Sequence, residues 1–328
     1  MISVLIATRN RGPELEAQLR SFADVDWPAG DWELLVIDNG STDGTSRLLG
    51  DLATRERLPL RPLSEPRRGK SRALNVGVRA ARGDLLAFTD DDAIVERGWV
   101  RGFGEAAAEH PECLGFAGRS PAVGGPVPPP RDHGIVNYDH GDAGFEIRPF
   151  ETPPPGVNFA FRRAAFERYG LFREDLGPGS EVQRAEDTDF VRRLWLAGER
   201  LRYVPAATVR HPVHAERLAR RFSLRWTFWV GRSNARMTGR PAGVPTVARV
   251  PRFLVGAIVS GAGRTLLSAL TLRTGRDFPR AQRLAYDLGL AYEFRRLAPD
   301  FDPQALVPRL GQPAAELGRP APGALGGR

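Results

Sequence analysis

A short apolar segment that runs directly into three carboxylates constrains this chain most. Residues 85 to 89 are apolar and long enough for a buried strand, and they are followed at once by Asp90, Asp91 and Asp92. Three like charges at a strand end repel one another unless a cation or solvent offsets them. Carboxylate oxygens suit Mg²⁺ and Mn²⁺, which often bring substrate phosphates with them. The triplet therefore predicts a divalent metal site, with helix capping and solvation as the alternative.

The same strand, polar loop and helix arrangement occurs twice earlier in the chain. Ile2 to Ala7 and Trp32 to Ile37 are apolar segments, each followed by a polar loop and a helical pattern. Strands that alternate with helices predict right-handed crossovers and a mostly parallel sheet, with ligands at the carboxyl ends of the strands. We therefore expect three polar strand ends at one edge of the sheet. Neither a dinucleotide-binding glycine motif nor a P-loop follows these strands, so neither of those sites is supported.

Two further segments carry charge where helices are predicted to begin. Residues 67 to 72 form a basic loop that enters a helix, and cations at a helix N-terminus bind anions. The second segment contains Glu186, Asp187 and Asp189, which exceed what a helix cap needs. For Arg67 and Arg68 themselves we expect a solvated turn, and for the acidic segment an ordinary capped helix is the alternative. His211 follows a predicted strand, where a lone histidine is more often an ordinary residue than a ligand.

The charge of the chain is unevenly distributed along an ordinary globular composition. The 328 residues are 41% hydrophobic and 26% charged, and the single cysteine, Cys113, excludes an internal disulfide. Lys and Arg number 27 through Val209 against 32 Asp and Glu, but 20 against 7 from Arg210 onward. The basic C-terminal part predicts an anionic partner, either phospholipid or nucleic acid, with a solvated arginine face as the alternative. The N-terminus is expected to be a first strand and not a signal peptide.

The sequence pattern changes after His211. Apolar residues and arginines share helical spacing from Arg217 to Arg232, which predicts a basic amphipathic helix carrying Trp226 and Trp229. The next apolar segment is interrupted by Arg264, and a bilayer span needs about 20 apolar residues. These helices are expected to pack on the body or to lie on a membrane surface. From residue 307 onward Pro, Gly and Ala dominate, which predicts a partly disordered tail.

Five segments, in their order along the chain, resemble the signature of the family 2 glycosyltransferases. They are Ser3 to Asn10, Val36 to Thr45, Gly69 to Asn75, Asp90 to Asp92 and Glu186 to Phe190. The resemblance covers residues 1 to 213 and implies a GT-A fold, an α/β architecture with a Rossmann-like, mostly parallel sheet flanked by helices. It also implies a nucleotide-diphosphate sugar donor, a divalent metal and transfer with inversion at the anomeric carbon.

The resemblance further implies roles for individual residues. Nucleotide contacts are implied for Thr8, Arg9, Asp38, Lys70, Arg72, Asp90 and Asp91. Metal ligands are implied for Asp90, Asp92 and His211. Asp187 is implied as the general base on the acceptor hydroxyl, with Glu186 orienting the acceptor or the helix, although physical reasoning alone does not separate the two. Asn158 is implied beside the donor sugar and acceptor, and we also predict a substrate contact for Trp229.

These inferences predict an inverting, metal-dependent glycosyltransferase that uses Mn²⁺ or Mg²⁺. The expected donor is a nucleotide-diphosphate sugar, with a UDP-sugar favoured, and the expected acceptor is a saccharide or a lipid-linked hydroxyl in polysaccharide or glycolipid synthesis. We expect a catalytic domain (1–213), a basic helical region that contacts a membrane (214–306) and a partly disordered tail (307–328). The expected location is the cytoplasm, peripheral on the inner face of the plasma membrane, with no nucleic acid bound. The alternatives are a metal-dependent sugar nucleotidyltransferase and a non-enzymatic protein that binds membranes or nucleic acid.

Overall fold

A computed structural model describes residues 1–26, 32–55, 58–124, 137–151, 154, 156–270 and 278–311. Its strands are β1 (Ile2–Thr8), β2 (Trp32–Asp38), β3 (Leu60–Ser64), β4 (Leu85–Thr89), β5 (Ile94–Val95), β6 (Cys113–Arg119), β7 (Ala122–Val123), β8 (Phe145–Glu146), β9 (Asn158–Arg162), β10 (Arg200–Pro212), β11 (Thr246–Val247) and β12 (Val250–Pro251). Its α-helices are α1 (Gly12–Ser21), α2 (Thr45–Arg55), α3 (Lys70–Ala80), α4 (Trp99–Glu109), α5 (Arg163–Tyr169), α6 (Glu186–Leu196), α7 (Arg220–Thr238), α8 (Arg252–Leu270) and α9 (Phe278–Arg296).

One mixed sheet forms the centre of the body, in the order β3-β2-β1-β4-β9-β6-β10-β5. The strands β3, β2, β1 and β4 are parallel, with Thr8 opposite Asp38 in the register. β9 runs antiparallel between β4 and β6 and places Asn158 opposite Thr89. The carboxyl ends of β1, β2 and β4 therefore lie at the same edge. The predicted α/β sheet flanked by helices is confirmed.

Both faces of the sheet are buried, because side chains on each strand point alternately to opposite faces. On one face Val4 and Val36 pack with α1, α2 and α4. On the other face Leu5 and Ile37 pack with α3, while Phe88 joins a cluster of aromatic rings from β9, α5 and α6. This burial on both faces explains why the strands read as nearly continuous apolar runs.

The helices α7, α8 and α9 form a layer beside the body. α7 and α9 approach so closely that a methyl group on Gly231 would overlap the carbonyl oxygen of Tyr286. The buried carboxylate of Glu293 on α9 accepts hydrogen bonds from Arg232 (2.8 Å) and Arg236 (3.0 Å) on α7. Of the two placements expected for the basic helix, packing on the body is the one that the structure shows. Within the described part of the chain, every helix is too short or too polar to cross a membrane.

Contacts also tie the C-terminal residues to the body. Arg236 donates to Asp175 at 2.8 Å, and the backbone nitrogen of Leu171 donates to the carbonyl oxygen of Pro308 at 2.7 Å. Val307 is buried. The first residues of the predicted tail therefore pack against the body, whereas residues 312–328 lie outside the described residues. The division at residues 213 and 306 stays a prediction.

Candidate active site

A cleft of about 310 Å³ opens at the carboxyl edge of the sheet. It is lined by Ala7, Thr8, Arg9, Arg11, Asn39, Arg68, Lys70, Asp90, Asp91, Asp92, Pro178, Gly179 and Arg217. Cationic side chains outnumber the carboxylates among these residues by five to three. Such a volume lies at the lower end of the range for ligand pockets, and the excess of positive charge favours an anionic ligand.

Each aspartate of the triplet has a different partner. Asp90 accepts a hydrogen bond from Lys70 Nζ at 2.5 Å. Asp91 accepts one from Thr8 Oγ1 at 2.8 Å, and Asp92 accepts one from Arg11 at 2.7 Å. The three carboxylates are therefore held apart by residues from β1, the loop after it and the start of α3.

Three ligand atoms of Asp90, Asp92 and His211 lie within 4.8 Å of one another. Burial raises the pKa of Asp92, but the hydrogen bond and the charge of Arg11 oppose burial and hold that pKa below its usual range. Burial lowers the pKa of His211 and so favours the neutral imidazole, which is the form that binds metals. Two carboxylates and a neutral imidazole are a suitable ligand set for a divalent cation such as Mn²⁺. The residues present therefore fit the metal that the sequence predicts.

A second histidine reaches the same carboxylate. His214 Nε2 lies 3.6 Å from Asp92 Oδ2, whereas His211 Nε2 lies 3.6 Å from Oδ1. The buried Nε2 of His214 has no hydrogen-bond partner among the described residues. A buried nitrogen of this kind is uncommon and marks a place where a ligand can enter. Sequence reasoning missed His214, although its spacing of three residues from His211 was a usable signal.

The helix α6 places a second pair of carboxylates behind Lys70, although neither Glu186 nor Asp187 is among the described residues that line the cleft. It begins after Ala185, whose φ of 73° is a left-handed conformation that costs about 1–2 kcal/mol for a residue other than glycine. Glu186 is buried and lies 3.5 Å from Lys70 Nζ. Burial raises the pKa of Glu186 to about 7, and burial also raises the pKa of Asp187. Both carboxylates therefore hold protons more tightly than ordinary ones do.

Lys70 joins the two groups of carboxylates. Burial alone would lower the pKa of this lysine, but Asp90 and Glu186 outweigh burial and raise it. The ammonium is therefore permanently charged between them. Asp187 in turn lies against Gly156, where a methyl group would overlap its carboxylate oxygen. The segment before β9 thus passes directly beside the carboxylate of Asp187.

The residues predicted to bind the nucleotide are only partly brought together. The cleft is lined by Thr8, Arg9, Lys70, Asp90 and Asp91. Asp38 ends β2 beside them, where its carboxylate accepts hydrogen bonds from the backbone nitrogen of Ser41 and the hydroxyl of Ser46. Arg72 is turned towards Glu174, with 3.0 Å between their charged atoms.

Asn158 and Trp229 are not among the described residues that line the cleft. The buried amide of Asn158 donates to the carbonyl oxygens of Arg119 and Ala207 and accepts from Trp99. All of its hydrogen-bonding groups are thus used within the body. Trp229 is half-buried and has the guanidinium of Arg232 over its ring.

Sequence reasoning also missed cationic residues that the fold brings into the cleft. Arg11 comes from the loop after β1, and Arg217 comes from the 3₁₀ turn before α7. The sequence predicted a solvated turn for Arg68, which is exposed but lines the cleft. The basic loop was a signal for Arg68, whereas nothing local distinguished Arg217 from its neighbouring arginines.

The fold and the cleft together place this protein in the GT-A class. The chain superposes with a TM-score of 0.56 on a Pyrobaculum calidifontis mannosyltransferase solved with GDP-Man and Mn²⁺, at 20% identity over 89% of this chain and 86% of that one. Staphylococcus aureus TarS 1–349, solved with UDP-GlcNAc, gives a TM-score of 0.54 at 20% identity over 72% of this chain and 66% of that one. These likenesses confirm the predicted fold.

The chain belongs to glycosyl transferase family 2, whose family model matches residues 3–170. A pre-mycofactocin glycosyltransferase of Mycobacterium tuberculosis is 26% identical over 292 residues, which are 87% of this chain and 58% of that protein. A glucosyl-dolichyl phosphate glucuronosyltransferase of Haloferax volcanii is 25% identical over 214 residues, covering 61% of this chain and 66% of that protein. The chain therefore spans little more than half the length of the mycobacterial relative. The family predicted from the sequence is confirmed.

Proposed function

We propose that this chain transfers a sugar from a nucleotide-diphosphate sugar to an acceptor hydroxyl, with inversion at the anomeric carbon. The observation that carries the proposal is the position of Lys70, whose Nζ lies 2.5 Å from Asp90 and 3.5 Å from Glu186. A single side chain thus spans the gap between the carboxylates that fit a metal and the pair that fits a base. A displacement reaction needs a cation beside the leaving group of the donor and a base beside the hydroxyl of the acceptor, close enough to act at one reaction centre.

The cleft supplies charge neutralisation for the departing diphosphate. Asp90, Asp92 and His211 would hold the divalent metal, which when bound stabilises negative charge on the leaving group. Five cationic side chains against three carboxylates leave a net charge of about +2 in the cleft itself. Lys70 and Arg11 hold the carboxylates of Asp90 and Asp92 in the positions from which they would bind the metal. This arrangement matches a charged leaving group better than a neutral one.

Asp187 acts as the general base in this proposal. Burial raises its pKa, so the carboxylate is a stronger base than an exposed aspartate. It accepts the proton of the acceptor hydroxyl while that oxygen attacks the anomeric carbon opposite the diphosphate, and this geometry inverts the configuration. Glu186 orients the acceptor, and Lys70 stays protonated throughout.

The relatives support a choice of substrates. The structural neighbours were solved with GDP-Man and UDP-GlcNAc, and one curated relative carries a lipid-linked sugar in its name. We propose a UDP-sugar as donor, Mn²⁺ as the metal, and a saccharide or lipid-linked hydroxyl as acceptor in polysaccharide or glycolipid synthesis. The proposed location is the cytoplasm, peripheral to the inner face of the plasma membrane.

A panel of nucleotide sugars tests the proposal. Each is incubated with the protein, with and without Mn²⁺, and released nucleoside diphosphate is measured. We expect turnover of one donor that depends on the metal, with the product anomer opposite to that of the donor by NMR. A variant at an exposed carboxylate serves as control. Asp142 is 95% exposed, so we expect Asp142→Asn to turn over the same donor as the unchanged protein does. No turnover of any donor, or retention of configuration, would overturn the proposal.

A further inference from the structure

The helix α8 presents a broad apolar surface to solvent. Phe253, Val259 and Leu266 are 63%, 67% and 64% exposed, the highest values among the large apolar residues described. Leu254 on the opposite side of the helix is buried against α9 and the β11–β12 hairpin. The hairpin adds Val247, which is 51% exposed. Exposed apolar residues that cluster on one element mark an interaction surface.

The charged side chains of this surface have one sign. Residues 246 to 270, which form the hairpin and α8, contain three arginines and no carboxylate. Arg252 and Arg264 are exposed on α8 itself, and Arg249 is exposed in the hairpin. Each end of the apolar surface therefore carries an arginine, and no negative side chain of this stretch offsets it.

We propose that the exposed face of α8, together with the β11–β12 hairpin, docks on a bilayer of anionic lipid. Phe253, Val259 and Leu266 enter the boundary between headgroups and acyl chains, and the arginines contact the headgroup phosphates. The sequence alone favoured α7 for this role. The structure favours α8 because α7 packs along α9 and is partly buried, whereas α8 leaves most of its circumference exposed.

Other anionic or apolar partners fit the surface less well. A nucleic acid would use the arginines but would leave Val259 and Leu266 without a role. A second copy of this chain would cover the apolar residues, but it would bring two strongly basic surfaces together at a cost in repulsion. An anionic bilayer is the partner that accounts for both features. This inference does not depend on sugar transfer. Transfer is tested separately, with a soluble donor and a soluble acceptor in the absence of membranes.

Vesicle binding of the full chain tests the inference. Sedimentation is measured with vesicles of phosphatidylcholine alone and with about 30% phosphatidylglycerol, at low and high salt. We expect binding only to the anionic vesicles, weakened by salt. The variant Phe253→Ser/Val259→Ser/Leu266→Ser is expected to bind at least ~10-fold more weakly. The variant Arg252→Gln/Arg264→Gln retains the apolar surface, and we expect its affinity for the anionic vesicles to fall roughly fivefold for each arginine removed.

The matched control is Phe150→Ser/Leu196→Ser, which replaces residues that are each 58% exposed but lie on the catalytic body. It is expected to bind vesicles as the unchanged protein does. Circular dichroism on heating checks that all variants are folded. Equal binding by the α8 variant and the unchanged protein would overturn the inference, as would a dimer in solution that the α8 variant abolishes without any lipid binding.

Discussion

Asp90, Asp91 and Asp92 are adjacent in the chain but differ in environment. Asp90 is paired with Lys70, and Asp92 is held ionised by Arg11. Burial raises the pKa of Asp91 to about 6, and repulsion from Asp90 and Asp92 acts in the same direction. The charge of Arg11 and the hydrogen bond from Thr8 act in the opposite direction but are outweighed. The outer two aspartates are therefore suited to bind a cation, while Asp91 links β4 to β1.

The assignment of the general base predicts the effect of one substitution. Asp187→Asn removes the proton acceptor but keeps the size of the side chain, so we expect nucleotide affinity to be unchanged and kcat to fall at least ~10²-fold. Calorimetry with a nucleoside diphosphate and a turnover assay measure the two quantities. Asp84→Asn serves as control, since that side chain is 90% exposed and precedes β4 at the other edge of the sheet. Near-normal turnover of Asp187→Asn would refute the assignment.

The raised carboxylate pKa values predict the acid side of the pH profile. A base works only when deprotonated, so activity falls as the pH drops through its pKa. Burial raises the pKa of Asp187, and that of Glu186 reaches about 7. We therefore expect kcat/KM at saturating metal to fall on acidification at a pH above the ordinary aspartate value of about 3.9. A profile that falls only at that ordinary value would contradict this prediction.

At the scale of elements, the contact between α7 and α9 depends on glycines that allow the two backbones to touch. A methyl group on Gly231 would overlap the carbonyl oxygen of Tyr286, and one on Gly289 would overlap that of Phe228. The ion pairs of Glu293 with Arg232 and Arg236 lie in the same interface. Small residues set the distance between the helices, and the buried ion pairs fix their register.

Two glycine substitutions, one inside this contact and one on α8 outside it, are predicted to change the stability of the protein in opposite directions. Gly231→Ala must separate α7 from α9, and we expect it to lower the free energy of unfolding by about 1–3 kcal/mol. Gly256→Ala on α8 meets no atom within 4 Å and has no unusual φ. We expect it to raise the free energy of unfolding by about 0.5–1 kcal/mol, since alanine favours the helix. Urea unfolding measures both, and a Gly231→Ala variant as stable as Gly256→Ala would disprove the close contact.

At the scale of the whole molecule, the cleft is assembled from distant parts of the chain. Its walls come from the ends of β1, β2 and β4, the start of α3, the loop at Pro178 and the turn that contains Arg217. Ligand binding should therefore stabilise the entire fold. Mass action gives about 2.7 kcal/mol for a ligand at 100 times its Kd.

Thermal unfolding with nucleotides tests this coupling. UDP, GDP and TDP are each added with and without Mn²⁺, and we expect at least one to raise Tm by several degrees only when the metal is present. Asp92→Asn should lose the metal-dependent part of the shift while keeping a similar Tm without ligand. If no nucleotide gives a metal-dependent shift, the proposed donor and metal are both in error.

The sequence by itself determined the features that depend only on residues close together in the chain. Apolar runs ending in polar residues predicted the parallel strands and the shared edge, because strand alternation and crossover handedness are local rules. The family resemblance predicted site roles for Lys70, Asp90 and Asp187, of which Lys70 and Asp90 line the cleft. The sequence also identified the family, since the five segments keep their order along the chain.

Only the tertiary structure decided which side chains face the cleft and which helices face solvent. Arg11, His214 and Arg217 reach the triplet, while Arg72 turns to Glu174 and Asn158 is used within the sheet. These directions are set by contacts between residues that are far apart in the chain, so local pattern does not encode them. The exposed face of α8 was also decided by the tertiary structure, because the elements that pack beside a helix determine which of its residues are buried.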